Sequence, residues 1–164
     1  GITYPPDTIL ASRQAREVGL NPKFFYASVG TAFQLYKNVM AANTEGVIGM
    51  GSWSVKTSPE AKAYFDAHVK KFNKEPDRWA SGHAWAGLQI LQQAVEKAGL
   101  DRKALREHIA KNELQTILGG SRFAGSQNAS IPGTVSQRQG NDFEVVWPKD
   151  RATAQLNTNK PAWK

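Results

Sequence analysis

Three histidines, fourteen carboxylates and no cysteine set the limits of the chemistry this chain can do. His68, His83 and His108 fall on three separate helical stretches. No two of them have the i, i+4 spacing around a glutamate that puts two zinc ligands on one helix face. They read as surface or capping histidines. The carboxylates sit near helix ends and on solvent faces, as Glu45, Glu60 and Glu96 do. None forms a pair placed for general acid and base work. Without cysteine there is no thiolate nucleophile, zinc–thiolate site or disulfide framework. No G-x-S-x-G elbow appears, and Gly49-x-Gly51 lacks the third glycine of a phosphate loop. The expectation is a protein that is not an enzyme, with no cofactor and no metal. Two residues carry binding chemistry instead. Trp53, between Ser52 and Ser54, follows an apolar run and can offer a flat apolar platform or fold onto the core. Ser28 ends the aromatic run Lys23–Ala27 and offers a hydroxyl.

The net charge of +7 raises nucleic-acid binding as a function. The 21 basic residues are spread along the chain, and the tightest cluster is Lys70, Lys71 and Lys74. Aromatics do not interleave with it in an RNA-binding pattern, so a solvated basic surface is the expectation and no nucleic-acid partner. No apolar run approaches the roughly 18 residues of a membrane helix, and no stretch reads as a signal peptide.

The elements that must position Ser28 and Trp53 follow from periodicity. Pro5-Pro6-Asp7 opens a helix, with Asp7 as its cap and Ile9, Leu10, Ala15 and Val18 as its apolar face. Asn21-Pro22 is a turn, and Lys23–Ala27 reads as a buried strand. Ser28–Gly30 is a loop, Thr31–Ala42 a helix, and Gly46–Met50 a second strand. Helix, strand, helix, strand is the order of parallel strands with crossover helices. Ligands lie beyond the C-terminal ends of such strands, here Ser28 and the segment Met50–Trp53. Three helices follow. The first starts at Ser58-Pro59. The second, Ser81–Gly99, has Ser81 as cap and Ala84, Leu88, Leu91, Val95 and Ala98 on one dry face. The third is capped by Asp101. From Gly119 the pattern turns to β, with strands at Ser121–Ala124, Thr134–Gln139 and Asp142–Trp147 and a hairpin turn at Gly140-Asn141. The tail from Lys149 is polar apart from Trp163 and is expected to be loose or an edge element.

Several segments, in order, resemble the branched-chain amino-acid type solute-binding proteins of ABC transporters. They are Pro6-Asp7 with Arg13-Gln14-Ala15-Arg16-Glu17-Val18-Gly19-Leu20, Thr44-Glu45-Gly46-Val47, Trp85-Ala86-Gly87-Leu88, Glu96-Lys97-Ala98-Gly99, Leu118–Phe123 and Val146-Trp147-Pro148. The resemblance runs over nearly the whole chain but corresponds only to the later half of such a protein.

The resemblance implies an α/β fold of the type I periplasmic-binding kind, partial here, with parallel strands, crossover helices and a helical segment. Residues 1–56 would belong to the second lobe, 57–122 to the helical part of the first lobe, and 123–164 to the return towards hinge and second lobe. Function would be solute binding for an ABC transporter, by lobe closure over a small molecule delivered to a membrane permease. A ligand-sensing module of the same fold is the alternative. The location implied is periplasmic. Half of each lobe leaves faces uncovered, so a homodimer or an exchange of elements is a further expectation.

The resemblance also carries three ligand-binding positions: Tyr4, Ser28 and Trp53. Tyr4 matches an aromatic that covers the ligand. Ser28 falls where amino-acid-binding members place an acidic residue against the ligand's ammonium, and Trp53 lies in the next cleft loop. Serine at that position implies an aromatic or other small carboxylate over a branched-chain amino acid. Tyr4, Tyr26 and Trp53 suit an aromatic ligand.

Overall fold

Cap residues fix where several helices of the computed structural model, which describes residues 1–164, begin. Helix α1 (Pro5–Glu17) starts on two prolines, and a 3-10 turn covers Ser28–Ala32. Helix α2 (Gln34–Met40) and strand β1 (Ile48–Gly51) follow. The Ser58 hydroxyl accepts the Ala61 N–H at 3.1 Å and opens helix α3 (Pro59–Phe72). Helix α4 (Ala80–Ala98) ends at Gly99, whose φ of +72° is the left-handed conformation that glycine adopts freely. Helix α4 begins one residue before Ser81, so Ser81 is helical and not its cap. The Asp101 carboxylate accepts the Ala104 N–H at 2.8 Å and opens helix α5 (Arg102–Lys111). Short strands β2 (Leu114–Thr116), β3 (Gly119–Ser121), β4 (Phe123–Ala124) and β5 (Gln127–Asn128) lead to the longer β6 (Thr134–Gln139) and β7 (Asp142–Trp147).

The chain forms two compact units. The first is Gly1–Trp79 with Gly133–Lys164; the second is Ala80–Pro132. These edges lie beyond Lys56 and Arg122, where the lobe boundaries were expected. The reason is α3. Its Tyr64 meets Trp53 edge to face at 5.4 Å, and its Phe65 carries the Arg78 guanidinium at 4.8 Å, so α3 stays in the first unit.

In the first unit β1, β6 and β7 form an antiparallel sheet in the order β1-β6-β7. The expected strand Lys23–Ala27 is reduced to one parallel bridge, Tyr26 to Ile48, with Ala27 N–H on Ile48 O at 3.0 Å and Ile48 N–H on Phe25 O at 2.9 Å. That bridge, α2 and β1 keep the parallel crossover that the alternation of elements predicts. One sheet face is sealed by Phe25 and Val47 against Tyr36 and Met40 of α2.

Helix α1 turns a different side inward from the one its apolar residues suggest. Thr8, Ser12 and Ala15 are buried, while Leu10 and Val18 are exposed. The hydroxyls make this workable, because each finds a partner inside. Thr8 donates to Tyr4 O at 2.9 Å, Ser12 donates to Thr8 O at 2.7 Å, and the Ser12 and Tyr36 hydroxyls bond at 3.0 Å.

The tail is not loose. Trp163 meets Phe25 edge to face at 5.3 Å and donates its indole N–H to Leu20 O at 2.8 Å. The Lys160 ammonium lies 3.6 Å from the centre of the Trp163 ring and donates to Asn21 Oδ1 at 2.8 Å. Gln137 and Gln139 donate to the tail carbonyls Asn157 O and Gln155 O. One tryptophan and a row of side-chain hydrogen bonds anchor a polar segment.

In the second unit α4 packs on α5 and on β2. Its buried positions are the small residues Gly82, Ala86 and Ala94, whereas Leu88 and Leu91 are exposed. The expected dry face is therefore not the covered one. Close approach favours small residues, and α4 meets β2 through Gln93, which donates to Gln115 O at 2.8 Å and accepts Gln115 N–H at 3.1 Å.

Candidate functional site

The C-terminal ends of the parallel pair in the first unit carry the residues of interest. After the Tyr26 bridge the chain turns at Ser28, which has a φ of +50°. The turn Ser28–Ala32 is built of small residues and is buried throughout. Space explains the composition. A Cβ on Gly30 would sit 2.0 Å from Thr8 Oγ1, and one on Gly49 would sit 1.7 Å from Thr31 Oγ1 and 2.5 Å from Ser28 O. Thr31 closes the turn by donating its hydroxyl to Ser28 O at 2.8 Å.

Tyr4 stands in the same corner. It occupies the N-cap position of α1 and is 61% exposed. Gly30 N–H donates to Thr3 O at 3.1 Å, and the Tyr4 carbonyl carbon is 3.0 Å from the point a Gly30 Cβ would occupy. The structure therefore brings the backbones around Tyr4 and Ser28 together, with the tyrosine outside and the serine buried.

Trp53 is placed differently. It lies just past β1 and is fully buried, between the Arg78 guanidinium at 5.0 Å and Tyr64. Its indole N–H has no partner. In this conformation it is a core residue of the first unit, not an open platform. The segment is pinned by Ser52, whose N–H donates to Arg78 O at 2.8 Å and whose hydroxyl donates to Trp79 O at 2.9 Å.

Two buried arginines support the corner, and sequence reasoning missed both. Arg138 of β6 donates to Thr31 O at 3.1 and 2.7 Å and to Phe33 O at 3.2 Å, with its guanidinium 4.8 Å from the centre of the Phe143 ring. Burial, and then the positive charge of Arg78, push its pKa down to about 10. Arg78 donates to Pro76 O at 3.2 Å, pairs with Glu75 at 3.1 Å and lies 3.6 Å from Asp142. Its own N–H donates to Ala32 O at 3.0 Å, so both arginine residues hold the far end of the turn that starts at Ser28. The carbonyls that the Arg138 guanidinium meets are about a hundred residues away along the chain, so its hydrogen bonds leave no local signal in sequence, whereas Arg78 also pairs locally with Glu75 and Pro76. Lys56 adds a pair with Glu144, whose carboxylate also accepts the Thr153 hydroxyl.

The groups gathered at this corner are hydroxyls, backbone amides, aromatic rings and the two buried guanidinium groups. No group of three or more His, Asp or Glu residues is gathered to hold a metal ion. The histidines lie on α3, α4 and α5, away from Ser28 in sequence and element.

Comparison with known proteins gives a consistent set of similarities. The profile of a family described as periplasmic binding protein matches residues 1–138. A putative branched-chain amino acid ABC transporter protein from Silicibacter pomeroyi superposes with a TM-score of 0.74 at 16% identity over 98% of this chain and 46% of its own. The leucine-binding protein LivK from Thermotoga maritima gives 0.73 at 24% identity over 91% and 44%. The substrate-binding protein LivJ from Streptococcus pneumoniae, solved with isoleucine, gives 0.74 at 21% identity over 89% and 43%. The chain thus spans less than half the length of each of these three proteins. No curated protein sequence matches the chain.

Proposed function

Because the chain belongs to the periplasmic binding protein family and carries part of its type I fold, we propose that it is part of the solute-binding component of an ABC transporter. Its partners would be a small organic molecule and a membrane permease, and its place the periplasm for which the family is named. The protein would work by binding and release, without catalysis. The first unit would correspond to the second lobe, and the second unit to the helical part of the first. The chain would cross between lobes at Trp79–Ala80 and Pro132–Gly133, the edges of the compact units.

The ligand we propose is a small carboxylate without a free α-amino group, an aromatic acid by preference over a branched-chain amino acid. The observation that supports this is that Ser28 is buried in its turn; by the resemblance it would stand where amino-acid-binding members place an acidic residue. An ammonium buried there without a carboxylate forgoes a charge-assisted hydrogen bond worth roughly 1.5–3 kcal/mol. Tyr4 supplies an exposed ring at the same corner. Trp53 would take part by opening from its buried position towards ligand, which would give its indole N–H a partner.

Replacing Ser28 by aspartate in the full-length protein tests the assignment, since aspartate tolerates a positive φ better than most residues. Tenfold or greater gain in leucine affinity is the expected result, with weaker binding of benzoate. If Ser28→Asp leaves both affinities unchanged, Ser28 does not select the ligand.

A further inference from the structure

The last turn of α3 carries a group of side chains that the candidate site does not use. Lys70, Lys71, Phe72, Asn73 and Lys74 are consecutive exposed residues. No carboxylate lies between Asp66 and Glu75 in the sequence. Both of those acids are engaged elsewhere, Asp66 with Lys62 and Glu75 with Arg78 and Lys37, and none of the three lysines forms an ion pair. Phe72 is 54% exposed, although folding usually buries such a ring. Its base is fixed. The ring packs on His68 with centroids 4.7 Å apart, His68 on Tyr64 at 6.1 Å, and Tyr64 on the buried Trp53. His68 Nδ1 lies 2.9 Å from Lys74 O, and Asn73, at a φ of +52°, donates its N–H to Val69 O at 2.8 Å. The Lys71 ammonium is 5.5 Å from the centre of the Phe72 ring. Solvation accounts for the three lysines; it does not account for an apolar ring held out among them.

We infer that this helix end is a contact for the surface of a bilayer that contains anionic phospholipid. An aromatic ring enters the boundary between headgroups and acyl chains, while lysines reach the phosphates on flexible stems. Lipid phosphates impose no fixed geometry, which suits three point charges better than the planar recognition that arginine provides. Nucleic acid fits less well, because one ring standing alone gives no series of stacking platforms. The contact is reversible. Three lysines at an anionic surface strengthen binding roughly a hundredfold in all, far less than a membrane-spanning helix would. This goes beyond the solute-binding reading and needs neither solute nor permease, so the two can fail separately.

Flotation of the full-length protein with vesicles, no solute present, tests it. Vesicles of phosphatidylcholine with about one-third phosphatidylglycerol are expected to carry the protein, and pure phosphatidylcholine is not. Binding should fall at least tenfold when Lys70, Lys71 and Lys74 are all changed to glutamine, and at least threefold in Phe72→Ser. Phe72→Leu, which keeps an apolar side chain, should bind within twofold of the native protein. So should a variant with Arg102, Lys103 and Arg106 changed to glutamine, which removes as much charge from exposed positions of α5. Raising salt from about 0.1 M to about 1 M, which cuts the Debye length from roughly 10 to 3 Å, should release the protein. No binding to anionic vesicles, equal losses in the two triple variants, or full binding by Phe72→Ser would each overturn the inference. So would displacement by millimolar glycerol phosphate, which would indicate a free phosphate ligand. Lysine-dependent binding only to neutral vesicles carrying the permease would assign the patch to an acidic protein surface instead.

Discussion

Tyr36 shows what single residues contribute. Its hydroxyl is buried and bonded to Ser12, and burial raises its pKa against the smaller, opposing effects of that bond and of Arg138. Ser12 keeps Thr8 O as a partner without it. Tyr36→Phe should therefore cost only about 1 kcal/mol, the net value of one hydrogen bond, in urea denaturation. A loss several times larger would mean that the hydroxyl chain through α1 acts as one unit. Lys56 makes the complementary case. Its bond to Glu144 raises its pKa above the ordinary 10.5, against a smaller desolvation effect, and the charges of Glu144 and Asp142 add to the rise. A cation with a raised folded-state pKa stabilises below the unfolded value and loses that effect as pH climbs through the folded one. The stability gap between the native chain and Lys56→Met should be widest below pH 10.5 and close above it; a pH-independent gap in chemical denaturation would assign the effect to packing alone.

Between elements, glycines separate tight contacts from open helix. A Cβ on Gly49 of β1 would overlap Thr31 and the Ser28 carbonyl, while one on Gly87 of α4 meets nothing within 4 Å. Gly49→Ala is expected to cost about 3 kcal/mol or more by overpacking. Gly87→Ala should stabilise α4 by about 0.5–1 kcal/mol through helix propensity. Thermal melts of the two variants moving in the same direction would contradict this reading. Elements with local signals are legible in the sequence. The hairpin β6–β7 falls on the expected Thr134–Gln139 and Asp142–Trp147, because Gly140, at a φ of +58°, marks its turn. Ser58 and Asp101 likewise announce α3 and α5. The features that escape the sequence depend on distant partners. The inward side of α1 is set by the Tyr36 hydroxyl, the Lys23–Ala27 strand keeps only the Tyr26–Ile48 bridge, and the Arg138 guanidinium finds its carbonyl partners across the unit.

For the whole molecule, the tail shows how far composition can mislead. Its polar residues suggest looseness, yet Trp163 and Lys160 close over the core cluster of Tyr36, Met40 and Val47. Trp163→Ala should cost about 2 kcal/mol of apolar burial and raise amide exchange along the tail that follows Asn157. Unchanged exchange there would mean that the side-chain hydrogen bonds of Gln137 and Gln139 hold the tail alone. Of the candidate site, strand order alone points to Ser28 and Trp53, and only the resemblance adds Tyr4. Tyr4 and Ser28 share a corner, but no spacing rule joins residues of such different exposure, and the burial of Trp53 cannot be read from its two serine neighbours. The central claim concerns the ligand, and titration calorimetry of the full-length protein with benzoate and with leucine tests it most directly. Saturable binding of benzoate, with leucine at least tenfold weaker, is the predicted result. Leucine binding as tight as or tighter than benzoate would contradict it.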